Sequence, residues 1–241
     1  MGRPALADAL GVLERGEIEV LGLLLYSSNY TFLARVGWAG DDMLAVYKPR
    51  RGERPLWDFP HGSLAAREVA AFLVSEAAGW GIVPPTVLRA DAPLGEGSLQ
   101  LFIEHDPQRH YFVLMEERAL ELTTFAAFDA VINNADRKSG HVLEDPAGKL
   151  WAVDHGVSFH VEPKLRTVIW AFAGEQIGDG LCGDLERLDS ALGDETPVAG
   201  TLEGFLTNAE AGALRSRTKA LLTDGRFPEP AGDRPLPWPL V

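Results

Sequence analysis

The sequence is short of cysteine and of clustered positive charge, and each shortage excludes a class of protein. Cys182 is the one cysteine in 241 residues, so the chain has no internal disulfide, which fits a reducing compartment. No basic run is longer than two residues, and 35 acidic residues against 22 basic ones give a net charge of −13. Nucleic acids and anionic membranes are bound mainly by clustered Lys and Arg, so we expect neither as a partner.

Long apolar runs are missing as well. The opening stretch, MGRPALADALGVLERGEIEV, is interrupted by charge throughout, so it predicts neither a signal peptide nor a membrane-spanning helix. No apolar or basic segment is arranged to face a membrane. We therefore expect no membrane contact and a cytoplasmic location.

What is present is the composition of an ordinary folded protein. Apolar residues make up 46% of the chain and charged residues 24%, which is enough apolar material for a core in one domain or in two lobes that share a cleft. The sequence contains no internal repeat. The fold must therefore be inferred from the order of its elements.

The element order predicts an α+β fold. A helix near residues 4–15 precedes three strand-like runs, the third ending at Lys48, and a helix follows with Ser63 as its N-cap. Two more strands are predicted at PPTVLRA and GSLQLFIE, and YFVLME favours a third; the rest is mainly helical, including VIWAFAGEQI. We divide the chain into a β-rich N-lobe (1–104), a helical C-lobe (105–227) and a proline-rich tail (228–241) that Trp238 is expected to pin.

Charged residues at particular places in this order suggest one kind of chemistry. Lys48 ends a strand in AVYKP, and Glu68 lies on the following helix. Two aspartates follow in the helical half, Asp136 in NNADRKSGH and Asp154 in VDHG, at the end of a strand-like run. A strand lysine paired with a helical glutamate, with two spaced acids beyond, is the layout of protein-kinase-like phosphotransferases. Each residue alone has a simpler reading as a solvated charge or a turn former.

Longer segments carry a closer resemblance. The runs REVAAFLVSEAAGWGIVPPTVLR, GSLQLFIE, FDAVINNADRKSGHVL and LWAVDHGVSF resemble the phosphatidylinositol 3- and 4-kinase-like superfamily. Within it, type II phosphatidylinositol 4-kinases and HipA-type bacterial kinases come nearest, and the chain is similar to an actinobacterial kinase-like family. The resemblance covers about residues 17–175 and implies a bilobal kinase-like fold.

The resemblance also implies roles for the residues of this chain that stand at the motif positions. Lys48 would contact the α- and β-phosphates of ATP, and Glu68 would orient it. Asp136 would accept the proton of the acceptor hydroxyl or position it, Lys138 would neutralise charge on the moving phosphoryl group, and Asp154 would bind Mg²⁺ or Mn²⁺. The adenine would meet backbone N–H and C=O groups of a hinge, made by Phe102, Ile103 and Glu104.

The chain departs from the kinase pattern at two places. It has no G-x-G-x-x-G loop in the first hairpin, and offers Ser27, Ser28 and Asn29 there instead. His141 stands where a second metal ligand is normally asparagine. Imidazole can bind Mn²⁺, whereas Mg²⁺ prefers oxygen, so His141 is either a metal ligand or a hydrogen-bond partner of the loop or of a phosphate.

These inferences predict an ATP-dependent phosphotransferase that acts on a hydroxyl of a protein or of a small polar acceptor. The alternative is a catalytically idle nucleotide-binding protein that acts as a switch or scaffold; Asp136 separates the two, because a pure binder does not need it.

Three other interpretations of the sequence stand beside this one. A metal-hydrolase site would leave Lys48 and Glu68 without a role. GDGLCG matches the dinucleotide pattern but is expected to follow a helix rather than a strand. The Arg-rich loop 50–54 is either solvated or in contact with substrate.

Overall fold

A computed structural model of the protein describes residues 6–24 and 30–241. Its first half is a five-stranded antiparallel sheet in the order β1-β2-β3-β5-β4, with one helix before it and one inserted between β3 and β4. These elements are α1 (Leu6–Arg15), β1 (Glu17–Leu23), β2 (Phe32–Trp38), β3 (Asp41–Pro49), α2 (Leu64–Ala77), β4 (Thr86–Arg89) and β5 (Gly97–Leu101). The central β3 therefore carries Lys48 towards the second half, and the predicted sheet with one following helix is confirmed.

Helix α2 begins where it was predicted to begin, but by a different device. Ser63 occupies the N-cap position without a side-chain bond to the first turn, and its hydroxyl instead donates to the Pro60 carbonyl. The carboxylate of Glu53 accepts from the Leu64 and Ala65 amides at 3.2 and 3.0 Å. A carboxylate at a helix N-terminus satisfies free N–H groups and the helix dipole together, so the loop before α2 is fixed to it.

The second half is helical around a small hairpin. Its elements are α3 (Tyr111–Ile132), β6 (Val142–Glu144), β7 (Leu150–Ala152), α4 (Asp179–Ala191), α5 (Pro197–Leu202) and α6 (Asn208–Asp224). The α+β class is thus confirmed. Among the helices of residues 6–24 and 30–241, none combines the length and apolar character needed to cross a bilayer.

Two predicted elements are wrong. The run YFVLME is the first part of α3, where Tyr111 and Leu114 are buried at helical spacing, because a short apolar run fits either element until its neighbours are known. The run 168–177 is irregular, with a turn at 171–174, rather than a helix. GDGLCG opens α4 after this irregular segment. A dinucleotide-binding motif would follow a strand, and the segment directly before GDGLCG is not a strand, so it is still not such a motif.

The tail is held differently from the prediction. Trp238 is 89% exposed, so it pins nothing. The Pro235 carbonyl accepts from the Thr167 amide at 3.1 Å, and the Leu240 carbonyl accepts from the Ser139 amide at 2.8 Å. Leu240 also packs against the main hydrophobic core. The tail is therefore fastened by one backbone carbonyl to Thr167, by another to Ser139 near Asp136, and by the Leu240 side chain to the core.

Candidate active site

Lys48, Glu68 and Asp154 meet at one point between the sheet and the helical half. The Lys48 Nζ hydrogen-bonds Glu68 Oε1 and lies 2.9 Å from Asp154 Oδ1. Glu68 is 2% exposed, and its second oxygen accepts from the His155 amide at 2.9 Å. One lysine thus joins β3 to α2 and to the loop after β7, which is the arrangement that holds nucleotide phosphates in kinases.

The close approach of α2 to this loop depends on the glycine of VDHG. A Cβ built on Gly156 would lie 3.2 Å from the Leu64 Cβ and 3.6 Å from Glu68 Oε1. A larger residue would push on the helix that carries Glu68. Asp154 itself has φ of 63°, a left-handed conformation that is uncommon outside glycine, so the loop turns sharply where it presents its carboxylate.

The charges of the three residues stabilise one another. Burial disfavours the charged form of Lys48, but the two carboxylates Asp154 and Glu68 outweigh it and raise the pKa of this lysine. The Lys48 ammonium in turn holds the pKa of Asp154 below its usual range. Lysine and aspartate are therefore both charged at neutral pH, as phosphate and metal binding require.

Asp136 faces this group from the loop after α3. Asn133, in the left-handed conformation with φ of 54°, ends α3, and the Asn134 side chain accepts from the Asp136 amide at 3.0 Å. The Asp136 carboxylate lies 3.0 Å from Lys138 Nζ. Burial raises the pKa of Asp136, Lys138 opposes the shift, and the charge of Asp154 adds to it. A raised pKa makes this carboxylate a better proton acceptor than a free aspartate.

His141 lies beside Asp154. Its Nε2 is 3.3 Å from Asp154 Oδ2, and its Nδ1 accepts from the Lys138 amide at 3.4 Å. Burial lowers the pKa of His141 to about 4, so the ring is neutral at pH 7. In this arrangement Nε2 carries the proton and donates to Asp154; to bind a metal, the ring would have to present the Nε2 lone pair instead.

The residues present fit a metal held partly by a substrate. No group of three or more metal-ligating side chains occurs within the described ranges, so an ion would have Asp154 and His141 as protein donors. Magnesium in kinase sites is bound by one or two carboxylates together with nucleotide phosphates and water. Asp154 and His141, beside the Lys48 ammonium, therefore fit an ion whose remaining ligands would come from a bound nucleotide and water.

The predicted hinge lies directly after β5. The Phe102 amide is already used, because it donates to the Leu44 carbonyl at 2.9 Å, and the Ile103 carbonyl is in contact with His105 Nδ1 at 2.9 Å. Ile103 belongs to a small buried apolar cluster with Leu143 and Trp151. Within the described chain, the predicted hinge thus offers an adenine the amides of Ile103 and Glu104 and the carbonyls of Phe102 and Glu104, next to this apolar cluster.

Two other predictions concern the mouth of the site. Ser27 and Ser28 lie outside the described residues, so their place at the phosphates stays a prediction. Within the described part of the chain, Lys48, Glu68, Asp154 and Thr31 border a cavity of about 40 Å³. In the Arg-rich loop, Arg50 pairs with Glu96 at 2.8 Å, which favours a structural role for this arginine.

The sequence reasoning missed the residue that holds the two acidic loops together. Arg137, between Asp136 and Lys138, is fully buried and binds Asp129 of α3 through Nε and Nη2 at 2.8–3.0 Å. Its Nη1 donates to the Val153 carbonyl at 2.8 Å, one residue before Asp154. Arg137 therefore fixes the distance between Asp136 and Asp154. The signal was Asp129 itself, a carboxylate inside the apolar run FAAFDAVI that needs a buried partner.

A second buried arginine fixes α2 to the helical half. Arg67, next to Glu68, donates to the Ser158 carbonyl at 2.5 Å and pairs with Glu210 in the first turn of α6. Arg67 is 1% exposed. By joining α2 to Ser158 and to α6, Arg67 fixes the position of Glu68 relative to the loop that contains Asp154.

The fastening of the tail gives a prediction about stability. Deleting residues 236–241 leaves the buried Ser139 amide without its Leu240 acceptor, so we expect the free energy of unfolding to fall by about 1–3 kcal/mol. Trp238→Ala, in the same segment, should change it by less than about 0.5 kcal/mol, because the side chain is exposed. Urea denaturation measures both. Equal losses in the two variants would show that Trp238 does hold the tail.

Comparisons with known proteins found a relative by sequence and solved structures with a similar fold. Protein Rv2133c of Mycobacterium tuberculosis is 42% identical over 267 aligned positions, which cover 96% of this chain and 95% of the relative. No family model matches the sequence. Its fold is similar to that of the Golgi casein kinase with Mn/ADP bound, with a TM-score of 0.53 at 14% identity over 91% of this chain and 75% of the other.

Two further solved structures share the fold. Hydra Fam20, in a structure with sugar, has a TM-score of 0.56 at 14% identity, and covers 91% of this chain and 87% of its own. The proinflammatory kinase CtkA of Helicobacter pylori has a TM-score of 0.52 at 11% identity, over 89% of this chain and 94% of its own. The chain therefore has a kinase-like, bilobal α+β fold.

Proposed function

We propose that the chain, which belongs to the family of the mycobacterial Protein Rv2133c, is an ATP-dependent phosphotransferase. The observation that carries the proposal is the position of Lys48, hydrogen-bonded to Glu68 and 2.9 Å from Asp154. A strand lysine between a helical glutamate and a loop aspartate serves phosphoryl transfer, in which the protein contributes mainly positioning and charge neutralisation.

In this proposal the nucleotide lies between the two lobes. The Lys48 ammonium binds the α- and β-phosphates, and Ser27 and Ser28, which lie outside the described residues, are assigned to the same phosphates on the sequence pattern alone. The adenine takes its hydrogen bonds from the hinge beyond Phe102, at the Ile103 and Glu104 backbone.

A divalent ion, Mg²⁺ or Mn²⁺, would be held by Asp154, with His141 as a second ligand or as the partner that orients this carboxylate. When bound, such an ion neutralises charge on the β- and γ-phosphates. The Golgi casein kinase structure that shares the fold is described with Mn/ADP bound, which supports Mn²⁺ here.

The transfer step assigns Asp136 and Lys138. Asp136 accepts the proton of the acceptor hydroxyl as its oxygen attacks the γ-phosphorus and the bond to the β-phosphate oxygen breaks, with ADP leaving. Lys138, 3.0 Å from Asp136, neutralises charge on the phosphoryl group in flight. The raised pKa of Asp136 supports the role of proton acceptor.

The acceptor we propose is a hydroxyl of a protein or of a small polar molecule. A net charge of −13 disfavours an approach to anionic lipid surfaces, where each basic residue contributes attraction. The narrower relationship to type II phosphatidylinositol 4-kinases and HipA-type kinases rests on the sequence motifs and stays a prediction.

The direct test is transfer of label from γ-labelled ATP. With Mg²⁺ or Mn²⁺, the purified protein should transfer the label to itself, to another protein or to an added polyol, or release it as phosphate. A chelator should abolish the reaction. ATP binding without any consumption of ATP would instead favour the idle nucleotide-binding protein. Absence of both would remove the proposed function.

Nucleotide anchoring gives a separate prediction. Lys48→Met removes a charge-assisted contact to phosphate worth about 1.5–3 kcal/mol, so the Kd for ATP should rise roughly 10- to 150-fold. Lys219→Met is the matched control, because this lysine is exposed on α6, away from the site, and its loss should leave the Kd unchanged. Calorimetric titration measures both. If Lys48→Met bound ATP like the parent, the lysine would have another task.

A further inference from the structure

A second cavity lies away from the candidate active site. It has a volume of about 640 Å³ and is bordered by the segment 163–166, the end of α3, helix α6 and the tail residues 228–234. Lys48, Glu68, Asp136 and Asp154 are not among its lining residues. Its size is that of sites for small molecules, which commonly measure about 300–1,000 Å³.

Four arginines line this cavity without a carboxylate partner. Arg166, Arg217, Arg226 and Arg234 border it, and in the described part of the chain none of them lies within 4.0 Å of an acidic group. By contrast, nine other arginines form ion pairs: Arg35, Arg50, Arg67, Arg89, Arg109, Arg118, Arg137, Arg187 and Arg215. Three carboxylates also line the cavity, so arginine outnumbers acid here although the whole chain is strongly acidic.

Arg217 supplies a donor that no group of the described residues uses. Its Nε donates to the Val131 carbonyl at 2.8 Å and its Nη1 to the His160 carbonyl at 3.2 Å. These bonds fix the guanidinium, while its Nη2 is buried without a hydrogen-bond partner. A buried donor left unpaired costs free energy, and Arg217 brings a positive charge without a carboxylate partner among the described residues to the wall of the cavity.

The other walls are apolar and aromatic. Trp57 is 92% exposed, and the Lys164 ammonium lies over its ring, 5.0 Å from the ring centroid. Trp170 forms another part of the lining, with its Nε1 bonded to the Pro235 carbonyl at 3.0 Å. An exposed tryptophan at the rim offers a flat face on which a ring can stack.

From these observations we propose that the cavity binds a small molecule that carries a phosphate monoester on an apolar or aromatic body. The planar guanidinium groups match phosphate oxygens in a two-pronged contact, and Trp57, Trp170 and two further lining residues, Pro163 and Pro228, would contact the apolar body. The site does not depend on the proposed phosphotransferase activity.

The cavity also touches the loop of the candidate active site through the backbone. The Arg166 amide donates to the Asn134 carbonyl at 2.9 Å, and its carbonyl accepts from the Arg137 amide at 3.0 Å. An occupant bound by the Arg166 side chain would therefore contact a residue whose backbone holds the loop of Asp136.

The test is calorimetric titration with phenyl phosphate, with inorganic phosphate and with phenol. Phenyl phosphate should bind saturably, more tightly than inorganic phosphate, and phenol should not bind. The double variant Arg166→Gln/Arg234→Gln should weaken phenyl phosphate roughly tenfold or more, because it removes two charge-assisted donors. Neither side chain has a recorded bond to the rest of the described chain, so the fold should be kept, and circular dichroism checks this.

Two controls separate this site from the nucleotide site. Arg215→Gln, on the same helix as Arg217 but paired with Asp194, should leave phenyl phosphate binding unchanged. Lys48→Met should also leave it unchanged, although it weakens ATP. The proposal is overturned if phenyl phosphate does not bind up to 10 millimolar (about the limit of useful affinity), if phenol binds equally well, or if the double variant binds as the parent does.

Discussion

Asp136→Asn should reduce phosphoryl transfer from ATP by about 10²–10⁴, the usual contribution of a positioned base, and leave the Kd for ATP near that of the parent. The asparagine keeps the shape of the side chain and its backbone bond to Asn134 but cannot accept the proton of the acceptor. The carboxylate is not part of the contacts of Lys48, so ATP anchoring should persist. The measurement is the rate of label transfer at saturating ATP, with a parallel ATP titration.

The matched control is Asp179→Asn, at the exposed start of α4, which should transfer label as the parent does. Equal rates for Asp136→Asn and the parent would make Asp136 a loop-forming residue only. A parent with no transfer at all, but with intact ATP binding, would favour the idle nucleotide-binding protein.

Arg137→Met should lower the free energy of unfolding by about 3–5 kcal/mol, because it leaves the carboxylate of Asp129 buried without its cation. Both side chains are 0% exposed, and among the described residues Asp129 then keeps the Thr167 hydroxyl and the Asn134 side-chain amide as side-chain partners. The loss of the bond to the Val153 carbonyl also frees the Asp154 loop from the Asp136 loop. Urea denaturation gives the free energy.

A surface pair and a double variant serve as controls. Arg215→Met, which breaks the pair with the exposed Asp194, should cost less than about 1 kcal/mol. Asp129→Leu/Arg137→Met should cost less than the sum of the two single changes, since removing both partners leaves no unpaired charge. A loss under about 1 kcal/mol for Arg137→Met would contradict the anchoring role.

The positions of Lys48, Glu68 and Asp154 follow from the sequence because each stands at the end or on one face of an element whose type the pattern indicates. A strand lysine, a helix and a following strand can meet in few ways once the order of elements is known. That the three meet in the structure is what the resemblance of their motifs to those of kinases implies; element order alone does not single out these side chains.

The buried arginines could not be found in the same way. Arg137 stands in a polar run, and nothing near it shows that it turns inward; only the carboxylate of Asp129 in an apolar helix requires such a partner. Arg67 is in the same situation, because its partner Glu210 is far along the chain. Long-range pairs of this kind depend on the packing of elements and not on local pattern.

Errors in local structure have similar causes. The stretch from Tyr111 is apolar enough for a strand, and becomes helical because it continues into the buried face of α3. The segment 168–177 is apolar but irregular, since several of its amides donate to carbonyls elsewhere in the chain: Val168 to Arg137, Gly174 to Phe227 and Ile177 to Gly225. In both segments, tertiary contacts and not the local sequence determine the secondary structure.

The central claim, that Lys48, Glu68 and Asp154 form a nucleotide site that uses a divalent ion, is tested most directly by the affinity of the unmodified protein for ATP with and without metal. Calorimetric titration in Mg²⁺, in Mn²⁺ and in a chelator gives the three values of Kd. The account predicts saturable binding of one ATP per chain that is tighter with either ion than with the chelator. The absence of saturable ATP binding in all three conditions, or the same Kd in all three, would contradict it.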